Sequence, residues 1–337
     1  MSWGQGPIRE DGSSGPVPHQ AITRLLWKWL APFLGLALVA VLFGFMSGRF
    51  LTGINLKFIA AQTVIAGVCA IGMTFIMIGG GIDLSVGSVM ALASVSLALT
   101  LRAGHSTAAA VIVAVGVGAL CGLLNALMIT TLRIIPFVAT LGMLSVARGL
   151  ARALADNRIV RLQTRPDGLA DFVQPLGSST WLAPSVWVML GVAVAAGVLL
   201  NLTVFGRQTC ALGSNEVAAR YSGIRVNRHK CLFYTLGGML TGLAGVFLFA
   251  NTTEGDPTAA VGLELQVIAA VVIGGGSLMG GEGSVLGTMI GAFMLTSLVN
   301  GCTLAGWPNW VQEIIIGAII VLAVALDHFR RKSATQP

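Results

Sequence analysis

In this chain of 337 residues, 55% are apolar and only 10% are charged, far below the roughly 25% charged residues of an ordinary soluble domain. So few charges cannot coat a water-exposed surface, which excludes a large soluble helical protein with polar stripes on its outer helices. The net charge of +7 rests on only four lysines and on arginines in short connecting segments, a membrane pattern that speaks against a nucleic-acid partner.

The charges leave long windows empty: 29–48, 58–82, 84–101, 103–132, 185–204, 232–253, 265–281 and 283–312. A helix needs roughly 20 apolar residues to cross about 30 Å of hydrocarbon, and its internal hydrogen bonds make the crossing tolerable. The alternation of an outer-membrane barrel is absent. The expected class is therefore an all-α integral membrane protein embedded in lipid.

Along the chain, residues 1–24 read as a disordered cytoplasmic tail, because Met1 to Gln20 is rich in Gly, Ser and Pro and lacks the apolar core of a cleavable signal. About ten spans follow in a single transmembrane domain, 25–328: 26–46, 57–79, 87–102, 107–131, 136–154, 184–204, 230–250, 264–280, 285–304 and 309–326. A short tail, 329–337, closes the chain. An even number of spans puts both termini on one side, and Arg9, Arg24 and Lys28 with Arg330, Arg331 and Lys332 make that side the cytoplasm. The segment 205–229, with Arg207, Arg220, Arg225 and Arg228, agrees; the segment 155–183, external by this count, holds Arg158, Arg161 and Arg165 and does not.

After the second span comes GGGIDLSVGSVMA at 79–91, echoed by GGGSLMGGEGSVLG at 274–287. Both show three glycines, a gap, Gly-Ser-Val and a renewed apolar helix. Interrupted helices at corresponding positions of two halves are a transporter device; chance likeness of two Gly-rich turns is the alternative. Asp83 follows the first glycines and is costly beside lipid. It either caps the next helix at the aqueous interface, as Ser85 also can, or touches substrate.

In the fifth span Arg148 and Arg152 share one helical face. They either snorkel to the outer interface or line, with Asn125, a polar translocation path. Between the sixth and seventh spans, Ser214 to Tyr221 forms a short helix with Ser214 as N-cap, Glu216 in the first turn and Gly223 as stop. Such a helix, held off the membrane by two loops, suits docking on a soluble partner; an ordinary loop is the alternative.

Catalytic constellations are missing. His19, His105, His229 and His328 have no triad or metal arrangement, and Cys69, Cys121, Cys210, Cys231 and Cys302 form no CxxC pair. No lysine follows a glycine, so no nucleotide-binding loop can be built. No metal or cofactor is expected, and any ATP-driven activity must use an ATPase on another chain.

Four collinear segments, GMTFIMIGGGIDLSVGSVMAL from 72, GLLNALMITTLRIIPFVATLGMLSVARGLA from 122, FGRQTCALGSNEVAARYSGI from 205 and GLELQVIAAVVIGGGSLMGGEGSVLGTMIGA from 262, resemble the permease subunits of carbohydrate ABC importers of the ribose, xylose and autoinducer-2 type. The resemblance covers about 55–327. It implies that Gly213, Asn215, Ala218, Ala219 and Gly223 belong to a coupling segment touching the ATPase subunit, and that Gly81, Asp83, Leu84, Ser85 and Gly87 form a signature helix interruption. It further implies a second permease subunit, a periplasmic sugar-binding protein docking on 155–183 and 252–263, the bacterial inner membrane as location, and alternating access. Gln266, where the family often has an acidic residue, and the region of Asp256 and Pro257 depart from the pattern. The rival readings are an ion-coupled secondary transporter, supported only by Asp83 and Glu313 in or beside spans, and an intramembrane enzyme, for which the spans lack a His or carboxylate cluster.

Overall fold

The computed structural model describes residues 18–162, 169–173 and 182–334. Most of the expected N-terminal tail, part of the segment 155–183 and the last residues of the C-terminal tail lie outside the described residues.

The elements in order are α1 (Pro18–Met46), α2 (Gly53–Ile78), α3 (Val86–Arg102), α4 (Thr107–Thr130), α5 (Pro136–Leu154), β1 (Val160–Arg161), α6 (Leu169–Val173), α7 (Pro184–Leu202), α8 (Val204–Ser214), α9 (Glu216–Tyr221), α10 (Val226–Thr252), β2 (Glu254–Gly255), α11 (Leu263–Ile273), α12 (Val285–Leu304) and α13 (Asn309–Ala334). Local chemistry sets many boundaries. The hydroxyls of Thr52, Ser106 and Ser284 accept N–H bonds at the starts of α2, α4 and α12, and Pro136 and Pro184 open α5 and α7, where a missing N–H costs nothing.

Six helices, α2, α4, α5, α7, α10 and α12, are long and apolar enough to cross a membrane, and shorter apolar helices (Pro32–Met46, α3, α11 and Asn309–Leu322) stand at the other four expected positions. The expected span 264–280 is corrected: α11 stops at Ile273. Its 11 residues cover only about 16 Å, half a bilayer. Gly274 to Gly276, with Gly275 at φ +87°, turn the chain away.

At the centre stands α2, buried continuously from Gly67 to Ile78, as expected of a helix apolar all round. Small residues permit the closest packing. Gly118 and Gly122 on α4 face Gly238 and Gly242 on α10, and a β-carbon at any of the four would meet backbone of the other helix. This Gly-x-x-x-Gly crossing exchanges side-chain bulk for backbone-to-backbone contact. β1 and β2 pair antiparallel, Val160 with Gly255 and Arg161 with Glu254, tying the two long connecting segments together. From α9, α10 runs its 27 residues over about 40 Å to β2 at the opposite end.

Candidate functional site

The two Gly-rich interruptions adopt corresponding forms. α2 ends with Gly79 N–H on Phe75 O and Gly81 N–H on Ile76 O, with Gly80 at φ +80° between them, and α3 begins after Ser85. α11 ends with Gly274 N–H on Ala270 O and Gly276 N–H on Val271 O, with Gly275 at φ +87°, and α12 begins after Ser284. The second glycine of each triplet takes the left-handed conformation that glycine adopts without steric cost. The register differs from the sequence match: Gly-Ser-Val 283–285 opens α12, whereas the first Gly-Ser-Val, 87–89, lies inside α3, and Leu84-Ser85-Val86 occupies the opening position.

Asp83 is 3% exposed, which corrects its expected place at an aqueous interface. One carboxylate oxygen accepts the Ser85 N–H (2.8 Å) and the Ser85 hydroxyl (2.5 Å); the other accepts Asn125 Nδ2 (3.3 Å) from α4. The capping part of the expectation stands in altered form: Asp83 satisfies an N–H just ahead of α3, while the Ser85 side chain caps nothing. Asn125 is fully buried and also donates to Ser85 Oγ (3.1 Å). It therefore pins the interruption to α4 and does not face an open path. Leu84 packs against the main core, and Gly87 lets the loop before α11 approach: a β-carbon there would meet the Ala260 carbonyl and the Glu264 carboxylate.

The segment between α7 and α10 is more structured than expected. Thr203, extended at ψ 163°, separates α7 from α8, an 11-residue helix where the sequence suggests a loop. The N-cap of α9 is Asn215 and not Ser214: Asn215 Oδ1 accepts the Ala218 N–H (3.0 Å), whereas Ser214 Oγ donates to Cys210 O (2.9 Å). Gly223, at φ +84°, stops the helix as expected. Glu216 reaches Arg220 (3.2 Å) and Lys230 Nζ (2.8 Å). Of the five coupling residues, Asn215, Ala218 and Gly223 are exposed, Ala219 is buried, and Gly213 faces inward against Ile78 and Gly281. Beside the contact of this segment with the first interruption lies a cavity of about 190 Å³, its lining including Gly81, Gly213, Glu216, Lys230, Phe233 and Tyr234.

Arg148 is half-buried, and its Nη1 donates to the carbonyls of Pro257 (2.9 Å) and Ala259 (2.7 Å). It thereby clamps the loop between β2 and α11 to α5. Arg152, one turn on, is exposed. Sequence reasoning missed Glu264, in the first turn of α11, whose carboxylate accepts the Gly262 N–H (3.3 Å). It also missed Tyr234, whose buried hydroxyl has no partner; this is one of only two tyrosines in the chain, inside a charge-free window, a signal that was available.

The family model of the branched-chain amino acid transport system permease component matches residues 55–324. The ribose import permease protein RbsC of Bacillus subtilis is 40% identical over 309 residues, 90% of this chain and 94% of that protein. RbsC of Escherichia coli K12 is 38% identical over 87% of this chain and 91% of its own length. The L-arabinose transport system permease protein AraH of Escherichia coli is 32% identical over 97% of this chain and 98% of its own length. No solved structure matches. A match this long leaves the ion-coupled reading without support. The chain thus belongs to the branched-chain amino acid transport system permease component family, and it is a multi-pass permease subunit of an ABC importer.

Proposed function

We propose that this permease carries a sugar, of the pentose or related class, inward across the bacterial inner membrane. Two permease subunits, identical or homologous, enclose the path; a periplasmic binding protein delivers the solute and a separate ATPase subunit drives alternating access. The carrying observation is the end-to-end similarity to the ribose permease of Bacillus subtilis, 40% over 90% of the chain. The family description names amino acids, but the ribose, fructose and arabinose permeases align over nearly their whole lengths, which favours sugar.

The coupling segment is α8–α9, and Asn215, Ala218 and Gly223 form its ATPase-facing surface. Their exposure, the firm Asn215 cap and the Lys230–Glu216 strap support the reading. A six-residue helix does not hold itself together in water, so cap and strap keep it presented. Arg220, Arg225 and Arg228 around it, and the basic residues near both termini, support a cytoplasmic location for these parts. The binding protein docks at the opposite end, where β1, β2 and the loop clamped by Arg148 form one surface, with exposed Arg152 beside it. Exposed apolar residues such as Phe45, Ile54 and Val194 face lipid or the second subunit.

The test is uptake by vesicles containing the permease with its ATPase and binding protein, offered labelled ribose, arabinose, fructose and leucine. ATP-dependent uptake of one sugar is expected. Uptake of leucine alone, or uptake driven by an ion gradient without ATP, would refute the reading.

A further inference from the structure

Three glycines from three separate segments meet at the tip of α8. A β-carbon on Gly213 would collide with the Ile78 carbonyl and stand 2.6 Å from Gly281 N. One on Gly280 would stand 2.8 Å from Gly213 O and 2.9 Å from Gly80 Cα, and one on Gly80 would stand 3.6 Å from Gly213 Cα, in ordinary contact. The Gly281 N–H donates to Ile78 O (2.8 Å), binding the second interruption to the last residue of α2. Gly80 belongs to the first interruption, Gly280 to the second and Gly213 to α8.

Contacts of this kind are backbone on backbone. No rotatable side chain stands between the segments to absorb a displacement, and interiors packed this closely transmit strain. A second attachment runs in parallel: Lys230 on α10 holds Glu216 on α9 at 2.8 Å, and one turn further Phe233 and Tyr234 press on Gly79 and Gly81. We infer that Gly80, Gly213 and Gly280 form a rigid relay, through which movement of the ATPase-docking segment is imposed at once on both helix interruptions. Gly213 is then a positioning residue and not an ATPase contact, in distinction from Asn215, Ala218 and Gly223. The inference rests on the reading of α8–α9 as the coupling segment.

The relay makes two distinct demands. It must not be loosened, and it has no need to slide. Gly213→Ala in the reconstituted permease–ATPase complex should leave the ATPase bound and its basal hydrolysis intact, while uptake per ATP falls about tenfold, in the range seen when coupling residues are altered. Loss of ATPase co-purification with Gly213→Ala would mean that Gly213 is a docking contact, and unchanged uptake per ATP would mean that it is neither; each overturns the relay. If Gly213→Ala fails to assemble, a second variant decides. Glu216→Cys with Lys230→Cys, in a background without Cys210 and Cys231, is bridged by a short reducible bifunctional thiol reagent, fixing α9 to α10 at the surface. Uptake should stay within about twofold of the same protein before bridging, and a loss restored by reduction would show that the parts slide and would overturn the relay. An absence of ATP-dependent uptake in the unmodified complex would instead sink the functional reading, and the relay with it.

Discussion

Asp83 offers the sharpest test of how the interruption after α2 is held. Its carboxylate gathers three donors, the Ser85 N–H, the Ser85 hydroxyl and Asn125 Nδ2, in a site that is 3% exposed. Asp83→Ala removes all three acceptor contacts. The Ser85 hydroxyl and Asn125 can still bond to each other, at the existing 3.1 Å, so two donors are left orphaned. At about 1–3 kcal/mol for each unsatisfied buried group, the cost is about 2–6 kcal/mol. Asp83→Asn keeps one oxygen for Ser85 but turns an amide N–H toward Asn125. Asn125 Oδ1 has no partner, and rotating that amide by half a turn presents it to the new donor. That rotation gives up the Asn125 Nδ2–Ser85 Oγ bond, so the amide variant should fall about 1–2 kcal/mol below the parent and stay above the alanine variant. Thermal unfolding in detergent, followed by size-exclusion chromatography, should rank the parent first, Asp83→Asn next and Asp83→Ala lowest, several degrees below the parent. An Asp83→Ala protein as stable as the parent, or an Asp83→Asn protein as damaged as the alanine variant, would refute the account.

At the α4–α10 crossing, Gly122→Val or Gly238→Val drives a branched side chain into the facing backbone and should cost at least about 3 kcal/mol, read as loss of monodisperse protein in detergent. Gly116→Val, on the open side of α4, should leave the elution profile unchanged. Arg148→Gln forfeits the charged bonds to Pro257 and Ala259; a cysteine introduced at Thr258 should label faster in that background, whereas Arg152→Gln should not alter the labelling. Asn215→Ala removes the cap of α9 at about 1 kcal/mol, which should weaken ATPase binding about fivefold; Asn215→Asp, which caps equally well, should restore it.

Much of the architecture was legible in the residues because a bilayer imposes a length rule that composition alone reveals. Apolar helices stand at all ten expected positions, six of them long enough to span, and Gly79 to Gly81 and Gly274 to Gly276 interrupt where three successive glycines remove helix propensity. The short α9 with its stop at Gly223 was equally readable from local chemistry, although its cap moved from Ser214 to Asn215. Such features depend on neighbours within one turn of the chain. The burial of Asp83, the clamp of Arg148 on two carbonyls and the inward face of Gly213 depend on segments brought from far along the sequence. A carboxylate after three glycines looks like an interfacial cap until α4 supplies Asn125 from 42 residues away. An arginine near a helix end looks like a snorkelling charge until the loop at Pro257 folds back 109 residues on. Hydrophobic length and glycine runs therefore determined by themselves that the chain is a bundle of membrane helices with two broken members. The tertiary structure decided what each polar residue is for, because in a bundle with so few polar groups a buried donor or acceptor takes its meaning from the partner that satisfies it.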